Sequence, residues 1–170
     1  MILCRDEMWN GADVYGPPAD LERFKRASLI PNPTIAQIET SALFSEDAIV
    51  TISSPKFEIE TWNFRVRPGT PPWHYSFAFD TGSDFPEFVF EDLALTYPTL
   101  SFDCDCIADD DRSMGYGWFN PPPGGEPFDS DYSVPDGYWT EGGCKQSPSA
   151  ELRHQARLSK LSKQLQRLTP

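Results

Sequence analysis

Hydrophobic and polar positions follow their clearest pattern between Trp73 and Asn120, where they predict a strand, a helix, a strand, an acidic turn and a strand. In the segment YSFAFD, aromatic residues alternate with small or polar ones, which is the period-two pattern of a half-buried strand. The helix is predicted over residues 85–96, and Tyr97-Pro98 ends it because the residue before a proline is disfavoured in the α conformation.

This helix is expected to begin near Pro86, with Ser83 or Asp84 as its N-cap residue. Its buried side follows from helical spacing and consists of Phe85, Val89, Phe90, Leu93 and Ala94. Its water-facing side is expected to carry Glu87, Glu91 and Asp92.

The strand that follows the helix separates apolar from acidic side chains. One face is predicted to hold Leu100, Phe102, Cys104 and Cys106, and the other Ser101, Asp103 and Asp105. The acidic turn IADDDRSMG then leads into a glycine- and aromatic-rich strand, GYGWFN.

Upstream, the same reasoning predicts a strand over Met8–Tyr15, with Gly11 as the site of a bulge. A helix opens at Pro18 or Ala19 and buries Leu21 and Phe24, and the segment PNPT at 31–34 breaks the chain. A short helix is expected over residues 35–44, and strands over 48–53 and 57–66.

Downstream, proline and glycine predict turns with one further hairpin, and residues 150–168 form a separate terminal helix with a narrow leucine seam. The expected organisation is therefore an acidic α+β domain, residues 1–144, followed by a basic C-terminal helical appendage, residues 145–170.

Charge divides the chain in the same place. Residues 145–170 hold six basic residues and one acidic residue, Glu151, which gives a net charge of +5. Because the whole chain has a net charge of −12, residues 1–144 have a net charge of −17. The segment from Asp80 to Glu141 contains fifteen acidic residues and one basic residue, Arg112. Such a field repels nucleic acid and anionic membranes and attracts basic surfaces. No apolar run is long enough to cross a membrane, and four cysteines without a signal peptide favour a cytoplasmic protein.

Two blocks of the chain are similar to the YubB-like family of plasmid and phage proteins. The first block is Val14–Lys25, with the motif GPPADLERFK, and the second holds Phe77–Thr81, Tyr97–Phe102 and the run MGYGWF from Met114. The resemblance implies a ferredoxin-like antiparallel sheet with two helices on one face and an origin in a mobile element. The family has no catalytic residue that could be carried over to this chain.

Candidate chemistry is sparse. Cys104-x-Cys106 with His74 could bind zinc, but the spacing and the apolar face favour core cysteines. The Asp103–Asp111 cluster could ligate a divalent cation in a metal-dependent enzyme or module, although it does not fit the twelve-residue calcium loop. Neither histidine lies near a nucleophile motif, and no phosphate-binding loop is present, so we expect neither an enzyme nor a cofactor.

These observations favour an acidic interaction protein of a phage or plasmid in the bacterial host cytoplasm. It would act by nucleic-acid mimicry, as anti-CRISPR inhibitors do, on a basic nucleic-acid-binding protein or nucleoprotein complex of the host. Direct binding of nucleic acid or membrane is not expected; a homodimer through the terminal helix and a structural or regulatory role are alternatives. Exposed aromatic residues would add anchors, and the predicted partner-binding residues are Asp103, Asp105, Asp109, Asp110, Asp111, Tyr116, Trp118, Asp129, Asp131, Asp136 and Trp139.

Overall fold

A computed structural model describes residues 8–31, 49–82, 84–108, 113–133, 139–140 and 143–144. The described strands are β1 (Met8–Tyr15), β2 (Leu29–Pro31), β3 (Val50–Ser53), β4 (Glu58–Val66), β5 (His74–Thr81), β6 (Ser101–Ala108), β7 (Ser113–Phe119), β8 (Asp129–Ser133), β9 (Trp139–Thr140) and β10 (Gly143–Cys144). The described helices are α1 (Pro18–Ser28) and α2 (Glu87–Thr96).

Eight of the strands form one antiparallel sheet in the order β2-β3-β4-β5-β1-β6-β7-β8, and β9 pairs with β10 separately. The predicted strand Met8–Tyr15 is confirmed and lies near the centre, between β5 and β6. The chain is thus a mixed protein with an antiparallel sheet and, in the described part, two helices.

Both helices cover the same face of the sheet. The ring of Phe24 in α1 lies 5.5 Å from that of Phe102 in β6, and the ring of Phe90 in α2 lies 6.0 Å from the same Phe102. All three residues have no exposed surface. The core between helices and sheet is mainly phenylalanine, and each such side chain stabilises the fold by roughly 1.5–3 kcal/mol when it is fully buried.

Several local predictions are confirmed. Helix α1 begins at Pro18 and buries Leu21 and Phe24. Helix α2 buries Val89, Phe90, Leu93 and Ala94 as predicted, whereas Phe85 is buried just before the helix begins. Cys104 and Cys106 are free core cysteines on the helix-facing side of β6.

Other local predictions are wrong. No side chain caps α2, whose N-cap residue is Pro86. Asp92 is buried and does not face water, and its carboxylate accepts a hydrogen bond from the backbone N–H of Lys56 at 2.9 Å. The short strand β2 follows α1 directly and was not predicted; it ends at Pro31, and the rest of the predicted break at 31–34 lies outside the described residues. Gly11 makes no bulge, since β1 pairs continuously with β5 and β6.

Register shifts instead occur between β7 and β8, at Met114–Tyr116, and in β4. The register of β4 with β5 shifts between Trp62 and Arg65, where Asn63 has a positive φ of 52°. The first half of β4 pairs with β3 and the second half with β5, so this strand joins the two parts of the sheet.

The predicted helix at 35–44 and the predicted terminal helix lie outside the described residues. Among the described helices, neither has the length and apolarity needed to cross a membrane.

Candidate functional site

The face of the sheet that points away from α1 and α2 carries charged and aromatic side chains, and we call it the polar face. It takes alternate residues of β5, β1, β6 and β7, since successive side chains of a strand point to opposite sides. Its members are Trp9, Gly11, Asp13, Tyr15, His74, Ser76, Ala78, Asp80, Ser101, Asp103, Asp105, Ile107, Met114, Tyr116 and Trp118.

Strand register arranges these side chains in rows across the sheet. In one row Asp13 lies between Ser76 and Asp103, and Asp103 is followed by Trp118. In the next row Gly11 is opposite Asp105, and Asp105 is opposite Tyr116. Directly opposed residues have Cβ atoms about 4.5–5.5 Å apart, so Asp13 and Asp103 are immediate neighbours. Asp105 is diagonal to Asp13 and two residues from Asp103 on the same face of β6. We call these three residues the carboxyl cluster.

A missing side chain makes room for this cluster. A Cβ atom added to Gly11 would collide with Oδ1 of Asp105. The Asp105 carboxyl group therefore lies over the backbone of β1, in space that any other residue at position 11 would occupy. Asp105 remains accessible to solvent there, whereas Asp103 is only 9% exposed.

Burial and like charge act together on the cluster. The pKa of Asp103 is raised to about 8, mainly because burial disfavours the charged form and further because Asp13 and Asp105 are near. Burial and Asp13 also raise the pKa of Asp105 to about 6, while the Asp105 backbone N–H lowers it. Asp103 is therefore largely protonated at neutral pH, and a cation placed on the cluster would reverse these shifts.

Beside the carboxyl cluster lies a histidine–carboxylate pair. Nε2 of His74 is 2.7 Å from Oδ1 of Asp13, across the β1–β5 pairing. The Tyr15 ring stacks on the His74 ring with centroids 4.3 Å apart, which fixes the plane of the imidazole. This pair anchors Asp13 at one end of the cluster.

Tyr15 also belongs to a small buried group with Trp73 and Trp118, which closes one side of the carboxyl cluster. Burial, followed by the nearby Asp13 and Asp103, raises the pKa of the Tyr15 hydroxyl far above its ordinary value. Tyr15 therefore stays a neutral hydroxyl at all physiological pH values.

Four of the predicted partner-binding residues come together on the polar face: Asp103, Asp105, Tyr116 and Trp118. Tyr116 is 42% exposed, as expected of an anchor. Trp118 is only 3% exposed, so the prediction that it is exposed is wrong. Asp129 on β8 is exposed and is paired with Tyr116 in the sheet.

The remaining predicted residues cannot be placed relative to the cluster. Asp109, Asp110, Asp111 and Asp136 lie outside the described residues, and so do the side chains of Asp131 and Trp139.

Sequence reasoning missed Asp13, and it offered His74 only as a zinc ligand and not as the partner of Asp13. Asp13 does follow the alternation of β1, as a polar residue between buried Ala12 and Val14, but its role depends on the pairing of β1 with both β5 and β6. No sequence signal predicts that pairing.

Metal binding finds no support within the described part of the chain. No three or more His, Cys, Asp or Glu side chains converge there on a common position. The thiols of Cys104 and Cys106 face the core, and burial raises the pKa of both, that of Cys106 to about 12. Thiols that hold their protons so strongly are poor metal ligands and poor nucleophiles.

The arrangement is suited to receiving positive charge. Carboxylates on adjacent strands offer several acceptor oxygens at fixed spacing, which an ammonium or guanidinium group can bridge. Exposed aromatic rings nearby, Tyr116 and the 40%-exposed Trp9, can cover the stem of a long basic side chain.

Comparison of the chain with protein-family models, with curated proteins and with solved structures finds no match. The similarity to YubB-like proteins therefore remains a prediction from the sequence motifs.

Proposed function

We propose that this chain is an acidic binding protein whose polar face receives Lys and Arg side chains of a basic, nucleic-acid-binding partner. The observation that carries the proposal is the carboxyl cluster, in which Asp13, Asp103 and Asp105 lie on two adjacent central strands. Burial first, and then the repulsion between neighbouring carboxylates, raises the pKa of Asp103 and Asp105, and a partner's cations would relieve that repulsion.

Charge distribution supports the same proposal at longer range. The 144 residues before the basic terminal segment carry −17, so their field would speed encounter with a basic surface. Asp129 extends the acidic surface from β6 to β8, and Asp109–Asp111 follow β6 directly in sequence. Side chains on paired strands need little ordering when the partner binds, which favours affinity.

The finer proposal is mimicry of a nucleic-acid backbone by a mobile-element protein, in the manner of an anti-CRISPR inhibitor. It is supported by the carboxylates, which could enter the Lys/Arg groove that normally holds phosphates. The fold is also consistent with the YubB-like resemblance. The chain between β1 and β4 contains α1, and these two strands are separated in the sheet by β5. That split arrangement is a feature of ferredoxin-like domains.

The alternative of a metal-dependent enzyme or module has less support, since the described members of the Asp cluster do not form a metal site with other ligands.

The test uses the full chain as bait in a nuclease-treated bacterial lysate, with bound proteins identified by mass spectrometry and then challenged with duplex DNA. Mimicry predicts that DNA elutes the captured protein, because both ligands compete for one basic groove. Charge reversal of Asp109, Asp110 and Asp111 to Lys should greatly weaken capture and flatten its salt dependence while leaving folding intact.

The matched control reverses two exposed carboxylates on β4, Glu58→Lys with Glu60→Lys, which lie away from the carboxyl cluster. This variant changes net charge comparably but should retain most of the binding. If the Asp109–Asp111 variant captures the same protein with unchanged affinity, the mimicry proposal is wrong.

A further inference from the structure

Helix α2 exposes large apolar side chains on its outer surface, on the far side from the sheet. Phe88 is 71% exposed and Leu95 is 77% exposed. They are seven residues apart, which is two helical turns, so both lie on one side of the helix about 10.5 Å apart along its axis. The half-exposed Phe57, in the turn before β4, extends this surface, with its ring 6.1 Å from that of Phe88.

We call Phe57, Phe88, Glu91 and Leu95 the α2 patch. Exposed Glu91 lies between the two apolar side chains of the helix, three residues after Phe88 and four before Leu95. Large exposed apolar side chains that share one surface with polar neighbours mark a place where another segment can pack.

One segment of this same chain has the complementary chemistry. Residues 150–168 carry leucines at 158, 161, 165 and 168, and these include two pairs seven residues apart, the spacing of Phe88 and Leu95. Five cations flank them, at Arg153, Arg157, Lys160, Lys163 and Arg167, against one carboxylate. As a helix, this segment would offer an apolar seam that packs against the α2 patch and cations that meet Glu91.

The chain also has the reach to place the segment there. Helix α2 packs over β6 and β7, and Phe128, just before the edge strand β8, contacts Phe85, just before α2, with ring centroids 4.5 Å apart. The C-terminal part of the chain therefore leaves the sheet at the edge that α2 covers. Between Ser133 and Ala150 the chain folds back in the β9–β10 hairpin, and the stretches 133–139 and 144–150 can together span at most about 40 Å at 3.3 Å per residue. This reach is more than twice the length of the ten-residue helix α2.

We infer that residues 150–168 dock in cis on the α2 patch, with the leucine seam against Phe88 and Leu95. The docked segment covers apolar surface that would otherwise face water, and it places a strip of positive charge along an acidic body. The basic segment then lies on the helix-bearing side of the molecule and leaves the polar face free.

The test measures alkylation of a cysteine placed in the patch, Leu95→Cys, in the full chain by peptide-resolved mass spectrometry. Cysteine keeps some apolar character at this position. Adding Leu161→Ser with Leu165→Ser should increase the alkylation rate at position 95 about fivefold. This is the change expected if docked molecules outnumber undocked ones by about four to one before the two changes and none are docked after them.

Two controls isolate the contact. The polar changes Gln155→Ser with Gln164→Ser should leave the rate at position 95 unchanged, and a cysteine at the exposed position Glu60 should react equally fast in both backgrounds. Circular dichroism checks that each variant is folded.

Competing occupants give distinguishable results. If a second copy covers the patch, protection of position 95 increases with protein concentration. If residues 32–48 or a partner cover it, protection survives both leucine changes. Either result, or fast alkylation in the starting variant, overturns the proposal.

Discussion

At the scale of single residues, Asp103 carries the strongest conflict between charge and burial. It is 9% exposed, with Asp13 beside it on β1 and Asp105 two positions along β6, and its pKa is raised to about 8 from an ordinary value of 3.8. Between about pH 4 and pH 8 the folded chain therefore holds a proton on Asp103 that the unfolded chain has already released.

This difference makes stability depend on pH with a definite sign. Where the folded state binds more protons, the free energy of unfolding falls as pH rises, by up to about 1.4 kcal/mol per pH unit for one group. We predict that the free energy of unfolding falls from pH 6 to pH 8, and that Asp103→Asn reduces this slope because an amide cannot ionise. Asp105 adds to the slope only at the acidic end of this window, since its pKa is about 6.

The measurement is urea unfolding at closely spaced pH values for the natural chain, for Asp103→Asn and for the exposed control Glu60→Gln. The control should follow the natural chain. Parallel curves for Asp103→Asn and the natural chain from pH 6 to pH 8 would show that Asp103 does not hold a proton in the folded state.

At the scale of secondary-structure elements, the C-terminal end of α2 is stabilised by a residue from another element. Nδ2 of Asn120, directly after β7, shares its two hydrogens among the carbonyl oxygens of Ala94, Tyr97 and Leu100, at 2.6, 3.2 and 3.0 Å. Asn120 has a positive φ of 54°, which asparagine tolerates better than most residues. One side chain thus links the end of α2 and the start of β6 to the end of β7.

A series at this position separates the hydrogen bonds from the backbone conformation. We predict that Asn120→Gly, which loses the donor but suits the positive φ, lowers the free energy of unfolding by about 1–3 kcal/mol. Asn120→Ala should lower it further, and Asn120→Asp furthest, because a carboxylate would face carbonyl oxygens. Urea unfolding gives the order; glycine and aspartate variants of equal stability would contradict the hydrogen-bonding role.

At the scale of the whole molecule, the described core is complete without the basic terminal segment. The main buried cluster is formed by α1, α2, seven strands of the large sheet and the turns between them. We predict that deletion of residues 148–170 leaves a core that unfolds cooperatively, while exposure of the α2 patch makes the truncated chain more prone to associate. Urea unfolding checks whether the truncated chain unfolds cooperatively, and sedimentation checks whether it associates. A loss of cooperativity on truncation would contradict the first expectation.

The sequence by itself determined much of the local structure. Period-two alternation predicts β1, β5 and the two faces of β6, and helical spacing with a proline near each start predicts α1 and α2. These features follow from neighbours within a few residues, since one buried face per element is enough to set the pattern. The burial of Cys104 and Cys106 follows from the same alternation.

Long-range pairing was decided only by the tertiary structure. The carboxyl cluster depends on Asp13 and Asp103 facing each other across 90 positions of the chain, and Asp92 and Trp118 are buried by segments distant in sequence. An alternating pattern says which face a side chain is on, but not which strand lies beside it or what covers that face. The polar face of each strand could therefore be predicted, but the site formed by several such strands required their register.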